Sequence, residues 1–242
     1  MPYEPRTYRS RVAPEGLVTF EVVRAETDLM IAAERDLRSE ADALVAEVRS
    51  ALDAYVASHP RFAESFVPVE VESDAPAIVR AMAAAGAAAG VGPMAAVAGA
   101  VAEHVARGLA RLSPEVVVEN GGDVYVMGSR DRVAALHAGT SPLSGAVGVV
   151  LPGEDLPLAA CTSSATVGPS VSLGSSDAAL VVARDGALAD AVASLVGNRV
   201  HGPDDVEAAL EAGRAVAGVL GVVVVVGETM GAWGVRLVPL AG

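Results

Sequence analysis

Between Ala81 and Ala102 the chain carries no charged side chain, and most of the residues there are alanine or glycine. A stretch of this length without charge has to be buried in something. It meets the criterion of about 20 residues for a membrane span. Alanine and glycine are poor partners for lipid, however, and Pro93 interrupts the run. The expected arrangement is a buried pair of helices. The first spans 75–89, Gly90-Val91-Gly92-Pro93 breaks it, and the second spans 94–109 with Pro93 in its first turn. Aromatic residues make up 3% of the 242-residue chain while 52% is hydrophobic. Small side chains dominate, so helices can lie close against a sheet.

A net charge of −13 with no Lys/Arg stripe argues against a nucleic-acid partner, which needs a basic face. The single Cys161 excludes an internal disulfide and a cysteine zinc cluster. Met1-Pro2-Tyr3-Glu4-Pro5-Arg6 has no apolar core of a secretory signal. The cytoplasm is the expected compartment, with no membrane partner.

Alternating helical and strand patterns predict a mixed α/β (α+β) fold in one domain. Strands are expected at 17–25, 66–72, 116–119, 123–127, 132–138, 145–151, 171–173, 177–183, 219–226 and 232–238. Thr27 reads as the cap of a long amphipathic helix over 28–58, lying on a sheet or on a partner subunit in a homo-oligomer, and His59-Pro60 ends it. Further helices are expected over 186–197 and from Pro203-Asp204-Asp205 to Ala212. Ser73-Asp74-Ala75 and Ser176-Asp177-Ala178 form a weak echo that suggests a duplicated β–α unit.

Four constellations could carry chemistry. Cys161 to Ser176 is a run rich in Ser and Thr with no charge, including Thr162, Ser163, Ser164 and Thr166; hydroxyls and backbone N–H groups of this kind can wrap phosphate or a metal-bound oxygen. Gly90, Gly92, Pro93 and Met94 open a helix, where unpaired N–H groups can hold an anion or simply make a helix–helix turn. Glu119-Asn120-Gly121-Gly122-Asp123 reads either as a plain hairpin turn or as a close backbone approach in which Asn120 or Asp123 binds a ligand. Four residues apart on one helix face, Asp190 and Ser194 could offer oxygen to magnesium, or Asp190 could cap or solvate its helix. Of the histidines, only His137 stands near a ligand-like loop, and there is no G-x-S-x-G elbow.

Taken in order, Glu26-Thr27-Asp28-Leu29, His59-Pro60-Arg61-Phe62, Gly90-Val91-Gly92-Pro93-Met94, Glu119-Asn120-Gly121-Gly122-Asp123, Ser141-Pro142-Leu143-Ser144, Cys161-Thr162-Ser163-Ser164 and Ala189-Asp190-Ala191 resemble an uncharacterised branch of the ApbE-like superfamily, across nearly the whole chain. The best-known members are FAD:protein FMN transferases, which cleave FAD and attach FMN to a Thr or Ser of a flavoprotein, using magnesium. The resemblance implies one ApbE-like domain over 1–242 with an internal two-lobed repeat and a pocket for a flavin nucleotide. Gly90, Gly92, Pro93 and Met94 would line that pocket. Gly121, Gly122 and Asp123 would match the family's glycine-glycine-aspartate turn, and Thr162 with Ser163 its threonine-serine loop. Asp190 and Ser194 would match its metal-binding Asp and hydroxyl, with Ser in place of Thr.

Two departures bear on activity. The histidine expected after Val167-Gly168 is replaced by Pro169, and the glycine expected after Thr-Ser-Ser is Ala165. Loss of a general base would lower a rate by roughly two to four powers of ten. The resemblance therefore implies a protein that binds a flavin nucleotide or similar phosphate-bearing ligand with a divalent cation. Its alternatives are an FMN transferase acting on a flavoprotein acceptor, and a non-catalytic cofactor-binding or assembly protein.

Overall fold

The computed structural model describes residues 16–165 and 174–240. The strand expected at 171–173, the site candidate Thr166, and Pro169, which stands in place of the expected histidine, lie outside them. Three layers stack on one another. In the middle is an eight-stranded antiparallel sheet whose order follows the chain: β1 (Val18–Arg24), β2 (Thr27–Ala33), β3 (Val116–Asn120), β4 (Asp123–Met127), β7 (Leu158–Ser163), β8 (Ala178–Ala183), β9 (Val219–Val226) and β10 (Thr229–Trp233). Strands β5 (Arg132–Ala135), β6 (Val147–Leu151) and β11 (Leu237–Pro239) form a small second sheet in the order β11-β6-β5. Helices α1 (Arg38–Ser58), α2 (Pro60–Glu64), α3 (Ala77–Ala89), α4 (Val97–Leu109), α5 (Gly186–Asn198) and α6 (Val206–Arg214) complete the fold.

The two faces of the large sheet account for its composition. Ile31, Val118, Tyr125, Cys161, Val181 and Val222 share one buried cluster with the helices. Val126, Leu158, Ala160, Leu180, Val223 and Val225 face the other way and pack with Leu136, Val149 and Leu151 around the small sheet. Strands covered on both faces have no need of polar alternation. This explains the unbroken valines of β9 and the fully buried β8. Within the large sheet, hairpin, helices and hairpin follow one another twice: β1-β2, α1–α4, β3-β4, then β7-β8, α5-α6, β9-β10. The two Ser-Asp-Ala triplets do not occupy matching places, since Ala75 precedes a helix and Ala178 begins a strand.

Several expectations need correction. Thr27 caps no helix: Thr27–Ala33 is β2, paired with β1 through the register Arg24↔Thr27, and with β3. Leu29, Ile31 and Ala33 at period two are wholly buried in the sheet, a spacing that also fits part of a helical pattern. Helix α1 starts only at Arg38, whose N–H donates to Asp36 Oδ1 at 2.9 Å. Its apolar positions Ala41, Val45, Val48 and Leu52 are buried within the chain itself. Residues 66–72 join no sheet among the described residues; Pro68 lacks a donor, and Phe66 and Val67 point outward. Strand β7 went unpredicted because Leu158–Cys161 are all buried and show no alternation. The last predicted strand divides into β10 in one sheet and β11 in the other.

The uncharged stretch forms α3, a 3₁₀ turn (Pro93–Ala96) and α4, bent by 105°. No single helix among the described residues is long and apolar enough to cross a membrane. Helix α4 buries its small residues against β3, β4 and α5, and α3 buries its own against α5, α1 and the 3₁₀ turn.

Candidate functional site

The site forms where the two halves of the large sheet meet. Asn120 and Asp123 face each other across a two-residue hairpin turn, Gly121-Gly122, with φ of 67° and 106°. Positive φ at both central positions is what a type I′ turn needs and what glycine supplies. The turn and ligand readings therefore coincide: the glycines make the turn, and the flanking polar side chains point into the fold. Asn120 Nδ2 donates to the Ala98 carbonyl at 3.1 Å, and Asp123 Oδ1 accepts from the Thr162 N–H at 2.9 Å. Both side chains are buried.

Opposite them, α4 and α5 cross with their backbones in contact. A Cβ placed on Gly99 would lie 2.1 Å from the Gly186 carbonyl oxygen, and one on Gly186 2.5 Å from that of Gly99. Neither position can carry a side chain. Each helix start is capped from the other helix. Gly99 N–H donates to Asp190 Oδ2 at 2.9 Å, and Asp190 also accepts from the Ala98 N–H. Gly186 N–H donates to Glu103 Oε2 at 2.6 Å. The start of α4 has no side-chain cap of its own, so Asp190 meets a need that helix ends always create. Glu103 also accepts from Arg107 Nε at 2.6 Å and from the Tyr125 hydroxyl at 3.4 Å.

The electrostatics mark this crossing as the chemically unusual place in the molecule. Burial pushes the Asp123 carboxyl well above the ordinary range, and the charge of Asp190 raises it further, against the pull of the Thr162 N–H. Asp190 keeps part of its surface exposed although protein packs densely around its carboxyl. Burial carries it from 3.8 up to about 7, against hydrogen bonds from Gly99, Ala98 and Asp123. Two carboxyls in contact cannot both ionise cheaply. Asp123 therefore keeps its proton at neutral pH, where Asp190 stands near its own midpoint. The Cys161 thiol, 3.7 Å from the Gly186 carbonyl and hydrogen-bonded to Asp123, is raised well above its usual range by burial and by both carboxylates. It is a neutral S–H and not a nucleophile.

The hydroxyl-rich run divides between strand and loop. Cys161–Ser163 end β7, Thr162 and Ser163 are partly exposed, and Ser164 is buried. Its two ends are tied together, with Ala165 N–H on the Ser176 carbonyl at 3.0 Å. The hydroxyls of Ser163 and Ser176 both lie 3.3 Å from where a Gly197 Cβ would stand. Ser194 is partly exposed one turn beyond Asp190 and makes no side-chain hydrogen bond among the described residues. Gly90 ends α3 at φ 70° and is exposed; Gly92 and Pro93 are buried and Met94 partly so. His59 stacks on Tyr55 with ring centroids 4.1 Å apart, and His137 pairs with Ser144 at 3.4 Å. Among the described residues no three His, Cys, Asp or Glu side chains gather as a metal cluster. A cation here would rest on two carboxyls completed by hydroxyl and backbone oxygen.

Sequence reasoning brought Asn120, Asp123, Thr162 and Asp190 forward, and they meet. It passed over Glu103 and Gly186, and gave Gly99 no role. A glycine inside a helix was the available signal.

The family described as AbpE bacteria is matched by residues 9–232, and the chain belongs to it, within the ApbE-like superfamily. A UPF0280 protein of Methanocaldococcus jannaschii is 39% identical over 216 residues, covering 87% of this chain and 88% of that one. Another, from Methanopyrus kandleri, is 41% identical over 197 residues, covering 81% and 79%. Among solved structures, flavin transferase ApbE from Vibrio cholerae superposes with a TM-score of 0.62 at 12% identity, covering 90% of this chain and 96% of that one. The apo flavinyl transferase ApbE of Pseudomonas stutzeri gives 0.54 at 13% identity, covering 90% and 94%. At such identities the likeness shows the fold.

Proposed function

We propose that the chain binds a flavin nucleotide, or a similar phosphate-bearing ligand, together with a divalent cation at the Asp123–Asp190 crossing. One observation carries this reading: two carboxyls from different halves of the fold are held in hydrogen-bonding contact beside buried backbone. A buried like-charge pair is costly unless a cation or proton offsets it. The donor set suits magnesium, which takes hard oxygen ligands and usually keeps water or substrate phosphate in its shell. Asp190 and Asp123 would hold it, with Ser194 as a hydroxyl ligand; the ion would supply charge neutralisation for phosphate oxygens. Gly121-Gly122, Thr162 and Ser163 offer backbone and hydroxyl donors beside it, and Gly92, Pro93 and Met94 belong to the turn that leads into α4. The paired hairpin–helices–hairpin runs support one domain built of two duplicated lobes.

Titration of the purified protein with FAD, with and without magnesium, tests the reading, repeated on Asp190→Asn. Magnesium-dependent binding that is lost in the variant is expected; no binding under any condition would sink the proposal. A second reading, FMN transfer to a Thr or Ser of a flavoprotein acceptor, is favoured by the fold shared with proteins titled flavin transferases. It predicts an FMN mass addition when acceptor, FAD and magnesium are incubated together. Absence of that addition alongside intact FAD binding would leave a cofactor-binding or assembly protein.

A further inference from the structure

Phe66 and Val67 are 70% and 58% exposed, on a segment that joins no sheet. The chain has three phenylalanines, and the other two, Phe20 and Phe62, are buried in the core. An exposed apolar side chain alone needs no explanation; the backbone beneath Phe66 does. A Cβ on Gly92 would lie 1.8 Å from the Ser65 carbonyl oxygen and 3.1 Å from Phe66 Cα. The segment is thus pressed backbone to backbone against the turn that leads into α4. Ser65 Oγ donates to the Val67 carbonyl at 2.7 Å and accepts from the Val67 N–H at 3.2 Å, bracketing Phe66. At the far end Glu72 accepts from the Tyr55 hydroxyl at 2.8 Å and faces His59 at 3.6 Å. The ring is therefore presented from an anchored backbone. Ordering such a ring on contact uses only two side-chain torsions.

Its place matters as much as its rigidity. From Gly92 to Gly99 the chain makes one 3₁₀ turn and the start of α4, a path of about 12 Å at the usual rises of the two helices. Gly99 is the amide that holds Asp190. A dinucleotide with its phosphates at the carboxyl pair can reach Phe66 with its ring. We propose that Phe66, flanked by Val67, is the platform on which the flat ring system of the bound flavin-type nucleotide lies. The proposal rests on the flavin-nucleotide reading above. Two side chains give the area of one fused ring system, whereas a stable protein interface needs about 800 Å² per partner. Stacking of a heteroaromatic ring on such a face is the kind of contact that aromatic platforms make with bases.

The test compares wild type, Phe66→Ala and Phe66→Trp, titrated in magnesium with FAD by flavin fluorescence and with ADP by calorimetry. Phe66→Ala should weaken FAD about tenfold or more, as loss of one stacked ring does elsewhere, and leave ADP affinity unchanged. Phe66→Trp should keep FAD affinity and quench flavin emission beyond wild type, because a stacked indole quenches an excited flavin. Equal FAD affinity in Phe66→Ala and wild type, with no added quenching in Phe66→Trp, would overturn the platform and leave the nucleotide site standing. Parallel loss of FAD and ADP in Phe66→Ala at unchanged melting temperature would also overturn it, since Phe66 would then act on the phosphate end. Failure of wild type to bind FAD would overturn both readings.

Discussion

Replacing Asp190 by asparagine should make the protein more stable at neutral and alkaline pH, and the gain should vanish in acid. Asparagine keeps an oxygen to accept from the Gly99 N–H and removes the charge that faces Asp123. The carboxyl titrates near 3.8 ordinarily and about 7 in the fold. At 1.36 kcal/mol per pH unit, ionising it in place costs about 4 kcal/mol. Part of its surface reaches solvent, and a charge-assisted hydrogen bond gives way to a neutral one; together these reduce the expected gain to about 2 kcal/mol. The sign follows from proton uptake. Between pH 4 and 7 the unfolded chain has already released this proton and the folded chain has not, so wild-type stability falls as pH rises through that window and levels off above it. Asp190→Asn removes this contribution to the slope. Urea unfolding of both proteins without divalent cations, at pH 4, 6 and 8, measures the difference directly. A variant less stable than wild type at pH 8, or a difference constant across pH, would refute the reasoning. Magnesium should stabilise wild type and leave the variant unchanged.

Three further outcomes are expected. Gly99→Val drives a side chain into the Gly186 carbonyl, 2.1 Å from the new Cβ, and should lower stability by about 1–3 kcal/mol in denaturant unfolding. Cys161 should resist a thiol reagent at pH 8 in the native protein and react once the chain is unfolded, because burial and both carboxylates hold the thiol protonated. Arg132→Ala leaves the buried Glu115 without its 2.8 Å ion pair; a loss of about 3 kcal/mol in thermal or urea unfolding is expected, since a buried charge stripped of its partner is strongly destabilising.

The helices were mostly legible in the sequence and the central strands less so. Ala77–Ala89 and Val97–Leu109 emerge from the uncharged run because glycine and proline punctuate it. Thr27–Ala33 was misread because Leu29 and Ile31 satisfy two periodicities at once, and only pairing with β1 and β3 decides between them. Leu158–Ser163 stayed hidden because a strand covered on both faces shows no alternation. For the site, residue type was informative and partnership was not. Asp190 is visible as a carboxylate in an apolar helix, but that it caps α4 depends on Gly99 and Gly186 meeting across 87 residues of chain.

Those crossed caps have a consequence for how the fold can open. On the sheet side the two halves touch through only three paired positions between β4 and β7; on the helix side Asp190 and Glu103 each reach across to the other half. Asp123 belongs to the first half, while Thr162 and Asp190 belong to the second. Parting this seam separates the carboxyl pair, since its two members stand on opposite sides of it. The amides of Gly99, Thr162 and Gly186 are therefore natural gauges of seam opening, and a ligand seated on the carboxyls would bridge both half-molecules.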